Sequence, residues 1–152
     1  LPGPERDVMR LMLARPPQRD LVAAQAHYLR FWQAIGSPDF PVSQAHLQEE
    51  IRNALQRAYD PRGTMRQMLA VMADTSRASD LGRVASPTLV IHGGADPLVP
   101  LMGGIDTAQR IPGARLEIVD GMGHDLSPGV VDRILPLLLA HLRQPRRKEK
   151  AA

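Results

Sequence analysis

Two stretches of this sequence end in residue types that move protons. LVIHGGADPLVP (89–100) is an apolar run that breaks at two glycines, Asp96 and Pro97, and LEIVDGMGHDLSP (116–128) has the same layout with His124 in place of the acid. A carboxylate bonded to one imidazole nitrogen fixes the tautomer and stabilises the imidazolium, leaving the other nitrogen free as a base. Each residue also has a plain reading. Asp after glycines and before proline is ordinary turn composition, and a histidine flanked by Gly121 and Gly123 suits any loop.

What joins them is the architecture that the pattern predicts. TLVIH (88–92) and RLEIV (115–119) are short, rich in β-branched residues and bounded by Gly, Pro and Asp, as strands of a parallel sheet are. A short helix over 102–111, stopped by Pro112-Gly113, links them into a β-α-β unit. The strands then run parallel, and loops leaving their C-terminal ends emerge at one edge of the sheet. Asp96 and His124 each sit in such a loop, so they can touch. Asp106, Asp120 and Asp125 are rival acids, of which Asp125 adjoins His124 and is poorly placed to reach its ring. The HGG run at 92–94 is expected to make room for the loop of Asp96, although such runs also build oxyanion holes.

A last helix is predicted over about 129–142, with Ser127 as N-cap, Pro128 in its first turn and a kink expected at Pro136. The first half reads as helix throughout. Apolar residues recur at helical spacing over 5–15, 19–36, 44–59 and 64–74. Pro16-Pro17, Gly36 and Asp60-Pro61-Arg62-Gly63 serve as stops, and Ser43 as a cap. Helices limited to one side of two strands would leave the sheet edge unpaired, and a lone strand pair is marginal.

Composition narrows the function classes. The 152 residues are 43% hydrophobic and 23% charged, those of one globular domain. The absence of cysteine excludes disulfides, thiol catalysis and zinc–thiolate sites. No run approaches a membrane span, since ILPLLLAHL (134–142) is short and ends in basic residues. The net charge of +3 is concentrated in RQPRRKEK (143–150), where five basic residues stand against one acid. With no aromatic platform beside it, this segment is expected to be a solubilising disordered tail and not a nucleic-acid arm. No phosphate loop, dinucleotide fingerprint or metal-ligand set is present, so neither cofactor nor metal is expected, His27 and His46 included. The chain opens LPGPERDV, with no Met and no leader pattern, which suggests an internal cut, and the expected compartment is the cytoplasm.

PTLVIHGGADPLVP, IPGARLEIVDGMGHDLSP and the helix after them resemble the C-terminal part of α/β-hydrolase-fold enzymes, most closely the esterase-like branch that includes the aclacinomycin methylesterases. The resemblance implies an α/β fold made of a helical cap (1–83), then the last two parallel strands with their helices (84–142), then the tail (143–152). It implies Asp96 as the triad acid and His124 as the triad histidine, in the family's chain order of Ser, Asp, His. The nucleophile is missing. Ser37, Ser43, Ser76, Ser79, Ser86 and Ser127 all lack the G-x-S-x-G setting. The expectation is therefore the C-terminal part of a hydrolase of ester or related acyl bonds, inactive alone and partnered by the N-terminal half of the same fold. Its expected substrate is a small apolar ester, and Tyr28, Phe31, Trp32, Met65, Met68 and Met72 are pocket candidates whose spacing also suits ordinary core. Epoxide, haloalkane or peroxy chemistry, or a non-catalytic hydrolase-like binding protein, are the alternatives.

Overall fold

The computed structural model describes residues 1–14, 20–73 and 76–143. Four helices come first: α1 (Arg6–Leu13), α2 (Leu21–Ile35), α3 (Gln44–Arg57) and α4 (Pro61–Ala73). A short α5 (Arg77–Asp80) and a 3₁₀ turn (Leu81–Arg83) lead into β1 (Leu89–Gly93), α6 (Leu101–Arg110), β2 (Arg115–Val119) and α7 (Pro128–Leu142). Of the tail, everything past Arg143 lies outside the described residues.

Short polar residues set most helix starts. Asp20 accepts from the amides of Val22 and Ala23, Ser43 from His46, and Ser127 from Val130, each satisfying first-turn donors that have no helical partner. The Asp60-Pro61 pair does the same and therefore opens α4 instead of closing α3. The Asp60 carboxylate accepts from Arg62 N at 3.1 Å, and Pro61 occupies the first helical position, where no amide proton is needed. Gly36 does end α2, but with φ of −66° in extended backbone, so its use is not left-handed capping. The last helix runs on through Pro136, which breaks neither its assignment nor its length.

β1 and β2 pair in parallel, with Leu89 opposite Arg115 and Gly93 opposite Val119. Side chains alternate across a strand. Ile91 packs into the cluster of Val119, Met122, Val130 and Ile134, joined by Phe40, whereas the ring of His92 lies over Gly104 of α6. Thus α6 and α7 take opposite faces of the strand pair, and not the single side expected. Val130 is fully buried and Ile35 nearly so, each contributing about 1.5–3 kcal/mol as a buried aliphatic side chain. The far side of α7 stays open, with Leu135, Leu138 and Leu142 exposed. Among the described residues no helix is long and apolar enough to cross a membrane.

Candidate active site

The loop after β1 and the loop after β2 meet where the pattern places them. His124 Nδ1 lies 2.7 Å from Asp96 Oδ2. An ionised carboxylate only accepts, so Nδ1 carries the proton and donates it. The Asp96 side chain is 5% exposed and that of His124 41%. Asp96 is held from inside, while the ring that it bonds is partly open to solvent.

Asp96 forms a turn and reaches the imidazole with the same carboxylate. Its Oδ1 accepts from the amides of Leu98 at 2.9 Å and Val99 at 2.8 Å, as an Asx turn does, which leaves Oδ2 for the imidazole. The turn thereby orients the acid. Of the rival acids, Asp106 pairs with Arg110 at 2.6 Å, and the arginine holds its carboxyl below the usual range. Asp125 accepts from Ser37, and Asp120 is exposed. None of the three is bonded to the ring.

The loops are also tied to each other. Gly94 N donates to Val119 O and Ala95 N to Met122 O, at 2.9 and 3.0 Å. A Cβ at Gly93 would run into the backbone of Met122 and Gly123. The HGG run therefore makes room for the histidine loop, and not for that of Asp96.

A second set of ties was invisible in the sequence. The exit of α2 clasps the histidine loop: His124 N donates to Ile35 O at 2.7 Å, Gly123 N to Ser37 Oγ at 2.8 Å, and Asp39 N to Gly121 O at 3.2 Å. Gly121 has φ of +67°, and a Cβ there would strike the Asp39 side chain, so strain and contact both demand glycine. The amide of Glu5 reaches Pro97 O at 2.9 Å beside Asp96. Most of these are backbone groups, which leave no signal in side-chain type. Ser37 could have been singled out only as a lone polar residue at a helix exit.

Among the described residues, cavities open between the helical half and the two loops and within the helical half itself. One of about 780 Å³ touches Ala95 and Pro97 on either side of Asp96, and Asp125 and Leu126 just after His124, with Trp32 and Ile51 in its wall. The other, of about 360 Å³, gathers Tyr28, Phe31, Met65 and Met68. Met72 is 71% exposed and lines neither. His27 is buried, which pushes its pKa down, with Arg30 adding to the effect. His46 pairs with Glu50 at 3.3 Å, and no cluster of three potential metal ligands occurs among the described residues.

The sequence profile of the TAP-like protein family, a family of α/β-hydrolases, matches residues 55–150. The chain belongs to that family. This TAP-like chain is 38% identical over 68 residues to rhodomycin D methylesterase of Streptomyces peucetius, a stretch that is 45% of the chain and 23% of that protein. It is 40% identical over 73 residues to a putative non-heme chloroperoxidase of Synechocystis sp., covering 45% of the chain and 25% of the relative. Among solved structures, 2-hydroxy-6-oxo-6-phenylhexa-2,4-dienoate hydrolase from Rhodococcus sp. superposes with a TM-score of 0.59 at 25% identity, over 93% of this chain and 52% of its own. An esterase from Rhodococcus sp. gives 0.64 at 17% identity, over 92% and 48%. The TAP-like chain thus spans about a quarter of the curated relatives in its matched stretch and about half of the solved structures. Its fold is that of the C-terminal part of an α/β-hydrolase, of the esterase-like branch.

Proposed function

We propose that the intact TAP-like protein is a serine esterase in which His124 is the general base and acid and Asp96 its orienting carboxylate. The nucleophilic serine comes from sequence preceding this chain. The observation that carries the reading is the 2.7 Å contact between Asp96 Oδ2 and His124 Nδ1 on a ring that stays partly exposed. Nε2 takes the serine proton as Oγ attacks the ester carbonyl, then returns it to the departing alkoxide. In the second half Nε2 takes a proton from water, which attacks the acyl-enzyme, and serine recovers that proton as the acid leaves. Asp96 stays ionised throughout, stabilising the imidazolium.

The helices of residues 1–83 act as the cap. In support, they wall the larger cavity and reach both loops of the pair through Glu5, Ile35 and Ser37. The apolar side chains in that wall suit a small apolar ester. The exposed leucines of α7, and the half-length coverage of the solved structures, support a larger fold that packs on this one. The 152-residue chain by itself is expected to be inactive.

The likeness to a putative non-heme chloroperoxidase favours peroxy chemistry as a second reading, since the same serine, histidine and acid can transfer an acyl group to hydrogen peroxide. The test is turnover of p-nitrophenyl esters by the product of the complete reading frame, with and without peroxide. Loss of turnover in a folded His124→Ala variant supports the reading. Retained turnover, or a reading frame with no nucleophile, overturns it.

A further inference from the structure

We infer that Ser37 is a positioning residue for His124, acting through the backbone of its loop, and that Asp125 anchors Ser37 for that task. This rests on the proposed role of His124. Ser37 is 5% exposed, and its hydroxyl bridges the two chain neighbours of His124: Oγ accepts from Gly123 N at 2.8 Å and donates to the carboxylate of Asp125. A hydroxyl has one proton and a carboxylate only accepts, so the direction of both bonds is fixed. His124 N itself donates to Ile35 O at 2.7 Å. Three successive loop residues are therefore held from the short α2 exit between Ile35 and Ser37. With its Cα so fixed, the ring reaches Asp96 by two side-chain torsions alone.

Asp125 directly follows His124, and its Oδ1 is engaged by Ser37 and not by the ring. Removing the hydroxyl loosens the loop on both sides of His124, at Gly123 and at Asp125. A misplacement of about 1 Å can cost on the order of a hundredfold in rate, so Ser37→Ala is expected to lower kcat of the complete enzyme by about tenfold to a hundredfold while KM changes little.

The test reads the ring directly. Nitrogen-edited NMR of the complete protein follows the low-field proton of His124 Nδ1, sharp when the bond to Asp96 is held. The expected result is a resonance lost to exchange with water in Ser37→Ala and Asp125→Ala, and kept in Ser37→Thr, which retains the hydroxyl. A Ser37→Ala protein that melts earlier but keeps the resonance would show a merely structural bond and overturn the inference. If Ser37→Ala does not fold, Asp125→Ala decides by the same signal, because it removes only the anchor of the Ser37 hydroxyl and leaves His124 N on Ile35 O. The resonance needs no turnover, so a complete enzyme without esterase activity overturns the proposed function while this inference is judged on the signal.

Discussion

Asp96→Asn separates the orienting role of the acid from its role in the turn. The carboxylate makes three hydrogen bonds, two from Oδ1 to the amides of Leu98 and Val99 and one from Oδ2 to the ring. An asparagine has one oxygen, and turning it toward the two amides saves two bonds at the expense of one. Its NH₂ group then faces Nδ1, which must accept, so the imidazole proton moves to Nε2 and the base is lost. The same substitution in a serine triad lowers kcat about 10⁴-fold, or about 5 kcal/mol of transition-state stabilisation. Stability falls far less, by about 1 kcal/mol, because one charge-assisted bond is exchanged for a weaker neutral one. The assay is kcat of the complete enzyme on a p-nitrophenyl ester, beside a urea melt of the same protein and the nitrogen shifts of its His124 ring. An exchange of pyrrole-like and pyridine-like shifts between Nδ1 and Nε2 is expected. A variant that melts like the parent and loses less than about tenfold in kcat would refute the reasoning.

Three further outcomes concern the frame around the pair. Gly121→Ala places a Cβ at φ of +67° and against Asp39, and should cost about 1–3 kcal/mol in urea unfolding, while Gly3→Ala, in open space, should cost nearly nothing. Ser127→Ala removes the cap of α7 and should cost about 1 kcal/mol by the same measurement. Burial, with Arg30 second, lowers the pKa of His27 in the folded chain, so below the ordinary histidine value of 6.5 the unfolded state binds more protons. Its contribution is intact above that value and is lost as the pH falls through it. The urea midpoint of the parent should therefore fall on acidification from neutral pH, more steeply than that of His27→Gln.

Much of the site was legible because it is local. The β-branched runs at 89–93 and 115–119, the breakers after them and the helix between force a parallel pair whose following loops share an edge, and that brings Asp96 within reach of His124. Helix existence was legible for the same reason, through periodicity, while ends went wrong where one residue had two uses. Asp60-Pro61 reads as a stop and acts as a start, since a cap and a turn need the same side chain. Gly36 does stop α2 as read, but in extended backbone, its carbonyl lying where a Cβ on Gly123 would fall.

The sequence by itself determined the element order, the strand direction and the two residues that meet, because hydrophobic period and breaker residues encode them within a few positions of chain. Tertiary structure alone decided which face each helix covers, which Asp96 oxygen serves the turn and which the ring, and that the exit of α2 holds the histidine loop. Those contacts join Ile35, Ser37 and Asp39 to Gly121, Gly123 and His124 largely through amides and carbonyls, groups that every residue carries and that no pattern of side chains can announce.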